Sequence, residues 1–220
     1  MIVAIAVAGL LIGHLLSHAV ALQLASGRAA LGWLPLVSSL RARDWTALAV
    51  ELITALMAAA LFYRYGLSAR SLLLFGASLV LINTGAVDFR TRMIDTLVLV
   101  VATVALVALA PLNRIGWLAS GFGVVAAVCF FLLLYLLAAL LFRGVATPFG
   151  LGDVYLGAYI GALVGFAALP TALVYGILIA GVVAVAILVL RATGRKTPQY
   201  IAYGTYLCLG TLLFLATSSF

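Results

Sequence analysis

The chain has 220 residues, 67% hydrophobic and 8% charged, with a formal net charge of +7 at pH 7. Soluble domains carry about a quarter charged residues, so this balance excludes a soluble enzyme or a soluble binding module. The basic excess sits in short connections between apolar runs and builds no basic face, which excludes a nucleic-acid-binding protein.

Apolar runs close to the ~20 residues of a membrane-crossing helix recur along the chain. They predict an all-α, polytopic transmembrane bundle of about eight spans, near 2–24, 47–63, 71–87, 95–112, 116–141, 152–168, 170–190 and 200–218. Residues 1–220 then form a single membrane-embedded domain. The first run lacks a basic start and a small-x-small cleavage site, so it predicts a retained membrane helix rather than a removed signal peptide. His14 and His18 lie four apart on one face of it. Such a pair suits a metal, but no third ligand is nearby, and packing or hydrogen bonding inside the bundle is favoured.

Residues 25–46 are the longest polar connection. Trp33, Trp45, Arg41 and Arg43 suit the headgroup region and predict an interfacial loop, with a short interfacial helix in it. Glu51 sits about one turn inside the second run. It either supports a site or pairs with an arginine, or else it reaches the interface and is solvated. Asn83 and Thr84 are expected to hydrogen-bond to neighbouring helices. Gly157, Gly161 and Gly165 make a small-xxx-small stripe suited to close helix packing. Cys129 and Cys208 read as small buried residues with no zinc spacing. Between the sixth and seventh runs only 167–171, with Pro170, interrupts the pattern, which predicts a very short turn there.

The basic residues set the topology. Connections after the odd-numbered spans hold nine: Arg28, Arg41, Arg43, Arg90, Arg92, Arg143, Arg191, Arg195 and Lys196. Those after the even-numbered spans hold three, Arg64, Arg70 and Arg114. The positive-inside bias places the first group, with 25–46, in the cytoplasm and both chain termini outside. It also places Asp88 and Asp153 at the cytoplasmic face.

A carboxylate at the edge of an apolar run is costly and is a functional-site hypothesis by default. Asp153 follows Gly150 and Gly152, whose small size lets a backbone approach closely. Asp88 stands at a similar boundary on the same face. Two neighbouring carboxylates share one proton, so one takes a proton from water while the other donates to a scissile carbonyl. The bland reading is two unrelated interfacial carboxylates. Asp95, seven residues after Asp88, is expected to cap the start of the fourth span; the alternative is that it is catalytic in place of Asp88.

These residues resemble the type IV prepilin peptidases, bacterial polytopic aspartyl proteases. Asp88 through Ile94 is similar to the family's first-aspartate motif, and Gly150-Leu151-Gly152-Asp153 to its GxGD motif. Trp33 to Ser38, Ala49 to Leu56, the glycine-spaced stretch after Leu156, and Tyr203-Gly204-Thr205-Tyr206-Leu207 are similar to further family segments, the last to an FGPYL-type sequence. The resemblance implies Asp88 and Asp153 as the catalytic pair, with Gly150 and Gly152 as backbone support. It implies cleavage of leader peptides from prepilin or pseudopilin precursors at the cytoplasmic face of a bacterial inner membrane. The four zinc-binding cysteines of larger members are missing, so no zinc, no cofactor and no methyltransferase activity are expected. Asp95 stands in place of the family's proline and Tyr155 in place of its lysine; with Glu51 they are candidates for a supporting role around the site. The rival expectations are an inactive relative that acts as a membrane assembly or binding partner, and a proton- or cation-coupled transporter. A transporter places its ionisable residues nearer the midplane, which disfavours it.

Overall fold

The computed structural model describes residues 2–23, 44–141, 150–193 and 202–218. Those residues form an all-helical bundle: α1 (Ile2–Gln23), α2 (Trp45–Tyr65), α3 (Ala69–Thr91), α4 (Thr96–Ala108), α5 (Trp117–Leu141), α6 (Leu151–Ala192) and α7 (Tyr203–Thr217). A 3-10 turn, Ala110–Asn113, follows α4. By length and composition α1, α2, α3, α5 and α6 suffice to cross a membrane, while α4 and α7 are shorter apolar helices. The chain is a multi-pass helical membrane protein. The interfacial helix expected within 25–46 and the cations Arg28, Arg41, Arg43, Arg143, Arg195 and Lys196 lie outside the described residues.

The helices are apolar on nearly all sides, so their outer faces suit lipid and association rests on close packing and hydrogen bonds. Leu61, Leu74, Leu81, Tyr159, Leu163 and Leu207 are fully buried at the centre. Tyr159 donates its hydroxyl to the Ala77 carbonyl at 2.9 Å, satisfying the polar tip of the largest core side chain. Cys208 is buried as expected, whereas Cys129 lies on an exposed face of α5. The Asn83 amide oxygen is buried without a hydrogen-bond partner among the described residues, against the expectation of a helix-to-helix bond.

The 42-residue α6 is two helices joined at Gly165, whose backbone (φ 74°, ψ 169°) is non-helical. A straight helix would separate Gly152 from Gly176 by about 36 Å. Yet a Cβ at Gly152 and one at Gly204 would both touch Ile94, and Gly176 meets Leu207, one turn further along α7. The chain therefore reverses at Gly165. The expected break at 167–171 is displaced: Pro170 falls early in the second arm, where proline is better tolerated, and the turn falls on the residue that accepts a positive φ. The reversal ends the first arm's hydrogen-bond ladder, and side chains take up its last carbonyls. Ser120 donates to Ala162 C=O at 2.9 Å and Asn113 to Leu163 C=O at 2.9 Å. The glycine stripe packs on α5, as expected. A Cβ at Gly161 would come within 2.2 Å of Gly123 C=O, so the two backbones touch.

Ion pairs and caps set the vertical register. Arg64, near the end of α2, donates to the Ala216 and Thr217 carbonyls at the end of α7 (2.9 and 2.8 Å). At the opposite end of the bundle, Arg90 of α3 donates to Asp44, which caps α2. Burial alone would raise the Asp44 carboxyl, but hydrogen bonds from Arg90, Thr46 and the Ala47 N–H hold it below the usual carboxylate range.

Candidate active site

All four aspartates of the chain collect at the Arg90 end of the bundle, and each accepts N–H groups at a helix N-terminus. Asp44 caps α2 and Asp95 caps α4, the latter through Leu97 and Val98 N–H at 3.2 and 3.3 Å. Asp153 occupies the first turn of α6, where its Oδ2 accepts the Gly150 N–H at 3.1 Å. Asp88, at the end of α3, accepts from the first turn of the neighbouring α7 rather than from its own helix: Thr205 N–H lies 2.7 Å and Thr205 Oγ1 2.9 Å from its Oδ2. A helix N-terminus favours negative charge, so four helices aim their positive ends at this face.

Burial divides the four. Asp44 and Asp95 are solvent-accessible, whereas Asp88 is 5% and Asp153 9% exposed. The two buried carboxylates, 65 residues apart in the chain, are gathered around one side chain: Gly152, beside Asp153, and Gly204, which adjoins Asp88, both meet Ile94. Ile94 closes the space between their supports. A Cβ on Gly152 would sit 2.9 Å from Ile94 Cβ, and one on Gly204 3.1 Å from Ile94 Cδ1 and 3.0 Å from Asp88 Oδ2. Glycine at 152 and 204 thus admits one isoleucine of the α3–α4 connection between α6 and α7 and lets α7 close on Asp88 of α3. Gly150 is different: its backbone is extended and a Cβ there would meet nothing nearer than 3.8 Å. Its contribution is the N–H.

An apolar cavity of about 310 Å³ opens between α2, α3 and α7, lined among others by Val50, Leu81, Gly85, Phe89 and Leu212. Thr205 belongs both to its wall and to the Asp88 hydrogen bonds. Comparison with family models, with curated proteins and with solved structures finds no match. The chemistry of the site therefore rests on its own geometry.

Asp95 caps α4, the favoured expectation, and is exposed. Tyr155 is 39% exposed, one turn along α6 from Gly152. Glu51 is fully buried rather than solvated, and its Oε1 lies 2.8 Å from His14 Nδ1 on α1. The His14 and His18 rings meet edge to face at 4.8 Å. His14 thus joins α1 to α2 by a hydrogen bond, with the His18 ring packed against it. Among the described residues no group of His, Cys, Asp and Glu is placed to hold a metal ion. Thr205 is the residue that sequence reasoning missed. Its segment had been singled out, but a threonine inside an apolar run gives no local sign that its partner lies 117 residues away.

Proposed function

We propose that the chain is a membrane aspartyl endopeptidase that removes leader peptides from prepilin-like or pseudopilin precursors. The observation that carries this reading is the pairing itself: two carboxylates from distant parts of the chain, both buried at one end of the bundle, with their glycine neighbours Gly152 and Gly204 closed on the same Ile94. Buried like charges at close range do not both ionise, so Asp88 and Asp153 hold one proton between them. The ionised member takes a proton from water as its oxygen attacks the scissile carbonyl carbon. The protonated member donates to the carbonyl oxygen. The tetrahedral intermediate then collapses: the C–N bond breaks, the departing nitrogen takes up the proton held by the base, and a hydroxyl of the intermediate returns its proton to the acid as the new carbonyl forms. No covalent intermediate forms.

The apolar cavity beside Thr205 supports a substrate whose cleavage point adjoins an apolar helix. The basic residues support the orientation, since nine of them, Arg90 and Arg92 included, fall in the sequence connections on the aspartate side and three, Arg64, Arg70 and Arg114, in those on the other. Taken with the reversal at Gly165, this supports a reading with eight crossings, both termini outside, and a site that faces the cytoplasm of a bacterial inner membrane.

The test is cleavage of a precursor with a glycine before its apolar helix by protein in lipid vesicles. Asp88→Asn and Asp153→Asn should each slow cleavage by about 10²–10⁴-fold. Wild-type protein that leaves several precursors intact across the pH range would sink the proposal in favour of an assembly partner.

A further inference from the structure

Thr205 makes two hydrogen bonds to a single oxygen. Its N–H and Oγ1 both converge on Asp88 Oδ2, at 2.7 and 2.9 Å. The N–H is available because Thr205 lies in the first turn of α7, where amides have no partner within the helix. Thr205 is 8% exposed, so water does not freely replace its hydroxyl. Gly204 brings α7 against the carboxylate, as the 3.0 Å separation of a Cβ there from Asp88 Oδ2 requires. Among the described residues no hydrogen bond reaches Oδ1 of Asp88, which leaves that oxygen for solvent or substrate. Asp153 accepts its N–H bond from within its own helix, and no side chain donates to it among the described residues.

We propose that Thr205 is a positioning residue that makes Asp88 the base of the pair: it holds Oδ2 with two donors and presents Oδ1 to the attacking water. The inference rests on the peptidase reading and divides the labour within it. Two donors on one oxygen stabilise the carboxylate over the acid, because a charged acceptor forms the stronger bonds. The shared proton then rests on Asp153, which is the acid. The Gly85 carbonyl, 3.1 Å from Oγ1, is a second acceptor for the single hydroxyl proton once Asp88 has taken its proton and accepts more weakly. The other groups acting on this locus are Asp153 from α6, Tyr203, Tyr206 and Cys208 from α7, and Arg92 just after α3.

The experiment uses full-length protein in vesicles and two readouts. The first is the pH profile of precursor cleavage. Thr205→Val removes the hydroxyl at constant shape, and the acid limb should move to higher pH by about one unit, with Thr205→Ser restoring it. Thr205→Ala removes the same hydroxyl with less bulk and serves if the valine variant does not fold. The second is the infrared carboxyl band of Asp88, assigned by its loss in Asp88→Asn, whose onset on acidification should move by the same amount without any need for cleavage. An acid limb and a band unmoved in both variants, with wild type active, would overturn the role of Thr205 and leave the peptidase reading standing. Absence of cleavage by wild type would overturn both.

Discussion

The two ends of the bundle are finished by opposite chemistry. At the end away from the aspartates, side chains donate to helix-terminal carbonyls: Arg64 to the end of α7, Ser120 and Asn113 to the first arm of α6. At the aspartate end, carboxylates accept from helix-terminal N–H groups, and Asp88 and Asp153 do so while buried. Both arrangements satisfy helix termini, and a carbonyl capped by a side-chain donor is structurally complete. A carboxylate that caps a helix while buried next to another carboxylate is not, because it keeps lone pairs and a proton to exchange. One end is a clasp, and the other is built to hold charge.

That contrast is open to attack from both sides. Gly152→Ala should strike the aspartate end hardest. Its Cβ would press on Ile94, and a displacement approaching 1 Å at reacting groups costs about 10²-fold in rate. Gly150→Ala should leave the cleavage rate near wild type, because space is open there; equal losses in both variants would show that Ile94 does not set the spacing. In the body of the bundle, Gly161→Ala forces side-chain volume against the Gly123 backbone and should destabilise by about 1–3 kcal/mol in detergent unfolding. Gly121→Ala, on the same helix as Gly123 but facing open space, is the control and should not destabilise.

At the clasp, Asn113→Ala leaves Leu163 C=O without its donor and should cost about 1–3 kcal/mol. The pH dependence of unfolding should stay unchanged. The smallest expected effect is that of Asp44→Ala, about 1 kcal/mol for the lost cap of α2. It should also change the pH dependence of unfolding. The Asp44 carboxyl is held below its ordinary value, so its contribution is present above the unfolded value, about pH 3.9, and is lost as pH falls through the folded one. The gap in unfolding midpoint between wild type and Asp44→Ala should therefore narrow on acidification; a constant gap would mean that Arg90, Thr46 and the Ala47 N–H do not favour the charged carboxylate.

Much of the fold was legible because lipid imposes a simple requirement, about 20 apolar residues for each crossing. The helices α1 to α3 and α5 fall close to their expected runs. The turn within α6 was misplaced because Pro170 and Gly165 compete as signals. Gly165 also fits the packing stripe, so only three-dimensional contact shows that it serves as the hinge. The aspartates could be found from sequence because charge at the edge of an apolar run stands out. Thr205 and Gly204 could not, since their meaning lies in a contact with α3 that no local pattern encodes. Glu51 likewise looked interfacial from its position, and its burial depends on His14, 37 residues earlier.

The central claim is that Asp88 and Asp153 act as one unit. Cleavage rates of Asp88→Asn, Asp153→Asn and the double variant test it most directly, in one vesicle preparation with one precursor. A single catalytic unit predicts that each single variant is as slow as the double, because removing either half removes the whole. A single variant that cleaves at the wild-type rate, or two partial losses that multiply in the double variant, would contradict it.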